Sequence, residues 1–323
     1  MNTFALLPEQ TKPHALRIAG EINMSDYESI LTLGHDTQRN ISQFSDRVLY
    51  HIKNRDITKV GDTLQRLMQT ITSVNVEEND TNLFSRFFKK KGPSPESVMH
   101  YERASIQIER IELQLHRAQK QLLDDIEVLN DMFRLNQSYH DELSVIIAAG
   151  ELKHQDFETR ELPLLLEAAE ADPTGLAPQR VDDAKNQLAR LNQRLYDLQI
   201  ARELTVQAAP QIRMIQQSNQ LLSEKIQTSL MTTIPLWKNQ IALLISSERE
   251  RQRADLHRRM SSAEDRINAH FDATELKQTQ QRLLDDVEET LLLQGQSSVQ
   301  QAQIEREMRN LTSFPKKSPI LKE

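Results

Sequence analysis

Apolar residues along this chain recur at intervals of three and four instead of alternating, which is the signature of amphipathic helices and not of strands. The longest regular run covers residues 96–149. Positions seven apart read Tyr101, Ile108, Leu115, Leu122, Leu129, Asn136, Leu143, with the companion set Ala104, Ile111, Ala118, Asp125, Met132, Tyr139, Ile146. Spacing sustained in this way predicts a coiled-coil-like seam on a helix of roughly 75 Å, at 1.5 Å per residue. Two polar residues interrupt it. Ile126 is expected to take the seam place of Asp125, and Asn136 is a candidate for fixing register against a partner helix.

The same heptad spacing returns in Val181, Leu188, Leu195 with Ala184, Leu191, Leu198, so the stretch through about Val206 is the expected antiparallel partner. The intervening segment Asp172–Pro178 is the sharpest loop signal in the chain. Gly150 is expected to end or bend the first rod, with a shorter helix after Pro163. Pro210 and Pro235 fit first-turn positions or kinks. Past Ile241 a narrow seam continues through Leu256, Met260, Ala263, Ile267, Leu276, Leu283, Val287 and Leu291.

Upstream, Ser25 with Glu28 matches a capping box, and Ile30, Leu33, Phe44, Val48 and Ile52 mark one face of a helix to about Arg55. Asp56 would cap a second helix bearing Val60, Leu64, Leu67, Met68 and Ile71. The predicted layout is therefore a disordered arm at 1–24, a helical hairpin at 25–74, a linker at 75–97, a long-helix bundle at 98–311 and a disordered tail at 312–323. The fold class is all-α, an elongated bundle of long antiparallel, coiled-coil-like helices.

Composition narrows the function. Only 7 glycines in 323 residues leave few chain reversals and long elements between them. A formal net charge of −7 argues against a general nucleic-acid binder, and no nucleic-acid partner is expected. The absence of cysteine removes thiolate metal sites and thiol nucleophiles, and fits a reducing cytoplasm. The N-terminal stretch lacks a signal-peptide pattern, and the longest apolar stretch, Ile241–Ile245, is far too short for a membrane span. An exported or integral protein is not expected.

Candidate chemistry is sparse. Glu151 and His154 form one Glu-x-x-His pair, where helical di-iron sites need two, so no metal or other cofactor is expected. No phosphate-cradling glycine loop and no Gly-x-Ser-x-Gly elbow occurs. Phe84, Phe87 and Phe88 beside Lys89, Lys90 and Lys91 combine aromatic anchors with positive charge, a pattern suited to an anionic membrane surface or to a linker packed on a helix. The arginines from Arg249 to Arg259 are interleaved with acids and read as a salt-bridged face. In the stretch from Ala208 to Leu243, polar and apolar residues mix most densely. There Pro210, Gln211, Arg213, Gln216, Asn219, Lys225, Gln227, Pro235, Trp237, Lys238, Asn239 and Gln240 are candidates either for a network between helices or for a surface that binds a partner or an anion.

The strings APQIR, KIQTS and TIPLWKNQIAL within that stretch, together with Asn130–Tyr139, Glu161-Leu162-Pro163 and Arg194-Leu195-Tyr196-Asp197-Leu198, resemble the toxic anion resistance family, the TelA-like proteins. The resemblance covers about residues 27–300 and makes the 98–311 bundle a TelA-like core. It implies a helical protein linked to resistance to tellurite, other toxic oxyanions or envelope stress in bacteria. It also implies a cytoplasmic or membrane-peripheral place and the company of other stress-resistance proteins, XpaC-like ones among them. No catalytic mechanism comes with it, and a chain without cysteine has no thiols of its own to reduce tellurite. The expectation is a non-enzymatic scaffold or adaptor that acts through protein partners. The alternatives are direct oxyanion binding by the basic and amide side chains of residues 208–243, and peripheral membrane attachment. Self-association stays open, because an intrachain pairing and an intermolecular coiled coil share the same heptads.

Overall fold

The computed structural model describes residues 3–54, 58–74, 95–171, 175–260 and 273–312. Among them the chain is all-α. The helices are α1 (Thr3–Leu6), α2 (Lys12–Glu21), α3 (Tyr27–Thr32), α4 (His35–Asn54), α5 (Thr58–Ser73), α6 (Pro95–Asp156), α7 (Leu162–Ala171), α8 (Ala177–Thr228), α9 (Ile234–Met260) and α10 (Ala273–Thr312). Two π turns, Phe157–Glu161 and Ser229–Thr233, join α6 to α7 and α8 to α9.

The chain divides into two compact units, and α6, α8 and α10 each contribute to both. Unit one comprises Met1–Asn54, Val128–Met214 and Ala302–Glu323; unit two comprises Arg55–Glu127 and Ile215–Gln301. The core of unit one gathers Ile30, Leu33 and Ile41 with Leu143, Ile146 and Ile147 of α6 and Leu191, Leu195 and Leu198 of α8. In unit two, Leu64, Leu67 and Ile71 of α5 meet Ile108 and Leu115 of α6, Leu222 and Ile226 of α8, Trp237 and Ile241 of α9, and Leu283 and Val287 of α10.

The heptad positions are buried as the spacing predicts, because only a stripe at that interval stays on one side of a long helix. Tyr101, Ile108, Leu115, Leu122, Leu129, Asn136 and Leu143 all lie inside. Asp125 and Ile126 share their seam place, both half-buried. The expected antiparallel pairing is present within the chain. In unit one, Asn136 of α6 reaches Thr205 of α8, while Gly150 further along α6 meets Leu195 earlier in α8. In unit two, Gln119 bonds Ser223 of α8, and Glu102, earlier in α6, pairs with Arg249 further on in α9.

Several boundaries differ from expectation. Residues 3–24 are not a loose arm: α1 and α2 form there, with Pro13 in the first turn of α2, where a helix has no use for its missing amide. Leu7, Ala15, Ile22 and Met24 are buried, and Thr3 donates from its backbone N and its Oγ1 to the carboxylate of Glu151 at 3.0 and 2.9 Å. The single helix expected to reach Arg55 is broken after Leu33 by Gly34, whose φ of +65° lies in the left-handed region. The cap of α3 is Asp26, one residue beyond the expected Ser25, and it accepts from the Glu28 amide. Of the helices expected to make a hairpin over residues 25–74, α4 falls in unit one and α5 in unit two.

Gly150 does not end α6, which runs on to Asp156. Its role is spatial, because a Cβ there would lie 2.4 Å from Leu195 Cδ2. Pro163 and Pro235 each stand second in the helix that follows a π turn. The amides of Leu162 and Ile234 bond to the carbonyls of Phe157 and Ser229, five residues back, so the wider turn absorbs the backbone bond and the space that a proline denies an α-helix. Pro210 sits inside α8. Of the expected linker, residues 75–94 lie outside the described residues and α6 already begins at Pro95; Ala263, Ile267 and the tail from 313 also lie outside them.

Candidate functional site

The three signature strings turn out to be ties between helices. From the first, Gln211 is buried in unit one and donates Nε2 to Glu307 of α10 at 3.1 Å. Arg213, on the exposed side of α8, lays its guanidinium 3.8 Å above the ring centroid of Phe133 and reaches Asn130 Oδ1 at 3.5 Å, both on α6. From the second string, Lys225 pairs with Glu289 of α10 at 2.7 Å, and Ser229 Oγ donates to Asp286 at 3.2 Å. From the third, Thr233 Oγ1 donates to the same carboxylate at 2.6 Å, and Lys238 pairs with Glu112 at 3.0 Å and Glu109 at 3.7 Å, both on α6.

The remaining candidates of that stretch fall into two kinds. Gln216, Asn219, Trp237 and Gln240 are buried, Trp237 and Asn219 completely. The indole Nε1 of Trp237 and both polar atoms of the Asn219 amide make no hydrogen bond among the described residues. Pro210, Gln227, Pro235 and Asn239 are exposed. Pro210, Gln211 and Arg213 belong to unit one and the rest to unit two, where Lys225 faces α10 and Lys238 faces α6. Phe84, Phe87, Phe88 and Lys89–Lys91 lie outside the described residues.

Sequence reasoning missed three arrangements. The first is the double clasp of Asp286 by Ser229 and Thr233, hydroxyls four apart that the π turn brings to one side. Their spacing just ahead of Pro235 is the available signal. The second is Arg194, which donates Nε to the Leu33 carbonyl at 2.8 Å and a terminal nitrogen to Gln38 Oε1 at 2.9 Å. Burial lowers its pKa below the ordinary arginine value, and the nearby Asp197 carboxylate opposes that shift. Leu198, in the same string, packs where a Cβ on Gly34 would come within 2.9 Å of it.

The third is a groove of about 590 Å³ between α5 and α6 in unit two, lined by Arg66, Gln69, Thr70, Ser73, Gln107, Arg110, Ile111 and Gln114, with no acidic side chain among them. The Glu151/His154 pair is occupied otherwise, Glu151 by Thr3 and His154 with its Nδ1 3.6 Å from Glu158. Among the described residues, no helix is long and apolar enough to cross a membrane.

A family model described as toxic anion resistance protein (TelA) matches residues 15–268, well over half of the chain. The chain belongs to the toxic anion resistance (TelA) family. It is 33% identical to the Bacillus subtilis protein YaaN over 94% of its own length and 85% of that protein, which is described as uncharacterized. It is 35% identical to a TelA-like protein of Staphylococcus aureus over 91% of its own length and 84% of the relative. No solved structure matches it. The TelA match ends at 268, so the ties to Asp286, Glu289 and Glu307 on α10 link its signature strings to a helix beyond the matched residues.

Proposed function

We propose that this chain is a non-enzymatic helical adaptor of toxic anion resistance that acts through protein partners. One observation carries the reading: the three cations of the signature strings best placed to hold an oxyanion, Arg213, Lys225 and Lys238, are each engaged by another helix of the chain. Their charge is spent on holding helices together, and the contribution to resistance is left to the faces those helices present. Cytoplasmic location and peripheral membrane contact belong to the same proposal.

The test uses the purified full chain and its host. Isothermal titration with tellurite is expected to be flat and the chain is expected to leave tellurite unreduced, while deletion of its gene sensitises the host to tellurite. Heat on titration, or turnover of tellurite by the purified chain, overturns the adaptor reading.

A second reading, direct oxyanion binding, is favoured by the groove between α5 and α6, where Arg66 and Arg110 stand among neutral hydrogen-bonding side chains. Loss of that heat in an Arg66→Gln/Arg110→Gln variant would place the anion there.

A further inference from the structure

Two ridges of unit two carry apolar side chains in water. On α6, Met99, Ile106 and Leu113 stand seven residues apart on the side opposite the core, exposed by 50%, 51% and 53%. On α10, Leu292 and Val299 are likewise seven apart, exposed by 62% and 71%, and Asp285 holds the next place in that register. Seven residues advance a helix by roughly 10.5 Å, so both ridges place a side chain at the same interval. Core-facing heptads account for the buried seams of these helices. They give no reason for a second apolar row on the outer face, where lone exposed residues are ordinary but a periodic row is not.

The charges beside the ridges are opposite. Arg103, Arg110 and Arg117 run along the α6 ridge at the same spacing of seven, exposed and with no ion pair to any described residue. On α10, Glu288 is exposed, and Asp285 accepts a hydrogen bond from Gln281. Laid antiparallel, the two ridges set Met99 against Val299 and Ile106 against Leu292. The arginine-bearing end at Arg110 and Arg117 then meets the acidic end at Asp285 and Glu288.

We propose that this chain self-associates through unit two, the α6 ridge Met99–Ile106–Leu113 of one copy packing antiparallel on the α10 ridge Leu292–Val299 of a second copy, with Arg110 and Arg117 facing Asp285 and Glu288. Both ridges lie on every copy, so one pair of molecules can make the contact twice. The inference stands apart from the adaptor reading, since a self-associating chain can bind a partner, an anion or neither.

The test is the mass of the purified full chain in solution, by sedimentation equilibrium over a wide concentration range. The monomer mass is 37.4 kDa. The weight-average mass is expected to rise above that value with concentration and to fall back as salt is added. Arg110→Glu/Arg117→Glu and Asp285→Lys/Glu288→Lys are each expected to weaken association about tenfold or more, since like charges then face each other. An equimolar mixture of the two variants is expected to associate again, because every contact in the mixed pair joins opposite charges. Ile106→Asp serves as an uncompensated control that the mixture does not rescue. Circular dichroism checks that each variant keeps its helix content. A wild-type chain that stays monomeric to its solubility limit overturns the proposal, as does association indifferent to both reversals. Binding of the monomer to anionic vesicles that is lost in Arg110→Glu/Arg117→Glu also overturns it, and assigns the ridge to a membrane.

Discussion

Unit one and unit two use the same long helices, yet they fix the packing of those helices by different means. In unit one, polar and backbone devices sit inside the apolar contacts. Arg194 clamps the Leu33 carbonyl, Gly34 turns left-handed beneath Leu198, Glu142 accepts from Thr37 at 2.7 Å, and Asn136 donates to the Thr205 carbonyl at 2.8 Å. In unit two the interior is a broad apolar cluster around Trp237, and charged ties such as Lys225–Glu289 and Lys238–Glu112 stand at its partly exposed margin. Apolar volume tolerates shifts in register that a buried hydrogen bond does not. Unit one therefore takes more of its alignment from polar contacts set within the core, and unit two, where Gln119 and Ser229 make the comparable ties, takes more of its packing from apolar volume.

The sharpest way to break that contrast is at Trp237. Truncation to Ala removes a large ring from a fully buried place and is expected to cost about 3–5 kcal/mol, read as a lowered urea midpoint by far-ultraviolet circular dichroism. A loss below about 1 kcal/mol would show that the cluster does not depend on its largest member.

Next in size is Arg194→Met, which deletes two hydrogen bonds from a charged donor and is expected to cost about 1.5–3 kcal/mol. Arg194→Lys should recover little of it, because an ammonium cannot serve two acceptors in the fixed fork of a guanidinium. Full rescue by lysine would make the site one of charge alone. Gly34→Ala follows at about 1–2 kcal/mol, the cost of placing a Cβ in the left-handed region. Added strain comes from Leu198 Cδ2, which lies 2.9 Å from the position of that Cβ.

These devices also mark where the sequence was legible. The seam from Tyr101 to Leu143 and its antiparallel partner could be read directly, because helical periodicity repeats over many turns and every turn adds to the signal. Gly34 could not, since one glycine within an otherwise periodic face carries no sign of the φ it will adopt. The helices α1 and α2 were hidden by their shortness and by Pro8 and Pro13, which read as breakers, although a proline in a first turn is compatible with a helix. In the candidate stretch Gln211, Lys225 and Lys238 each bond another helix, but their partners on α6 and α10 lie 64 to 129 positions away with no local pattern to announce them. The Asp286 clasp needed the π turn, which the sequence marks only by a proline two residues later.

Asn219→Leu inverts the usual direction. The amide is wholly buried and its polar atoms make no hydrogen bond among the described residues, so a side chain of similar size without polar groups is expected to stabilise the chain by about 1 kcal/mol or more. A destabilised Asn219→Leu would mean that the amide is satisfied in solution, by water or by a bound molecule, and would place a polar site inside unit two.

The smallest effect is the most useful for function. Lys238 is 28% exposed beside two carboxylates, and a pair of this kind is worth about 1 kcal/mol or less. Lys238→Met keeps the aliphatic stem over the helix and removes the charge, so melting should move by only a few degrees and tellurite tolerance in the host should persist. Glu112→Gln should behave alike, since it breaks the same tie from the α6 side. Lys238→Met that melts normally yet loses tolerance, while Glu112→Gln keeps it, would separate the charge of Lys238 from its structural partner. That outcome would favour direct oxyanion binding at the α6–α9 contact and make the lysine a ligand, with Glu112 its resting counter-ion.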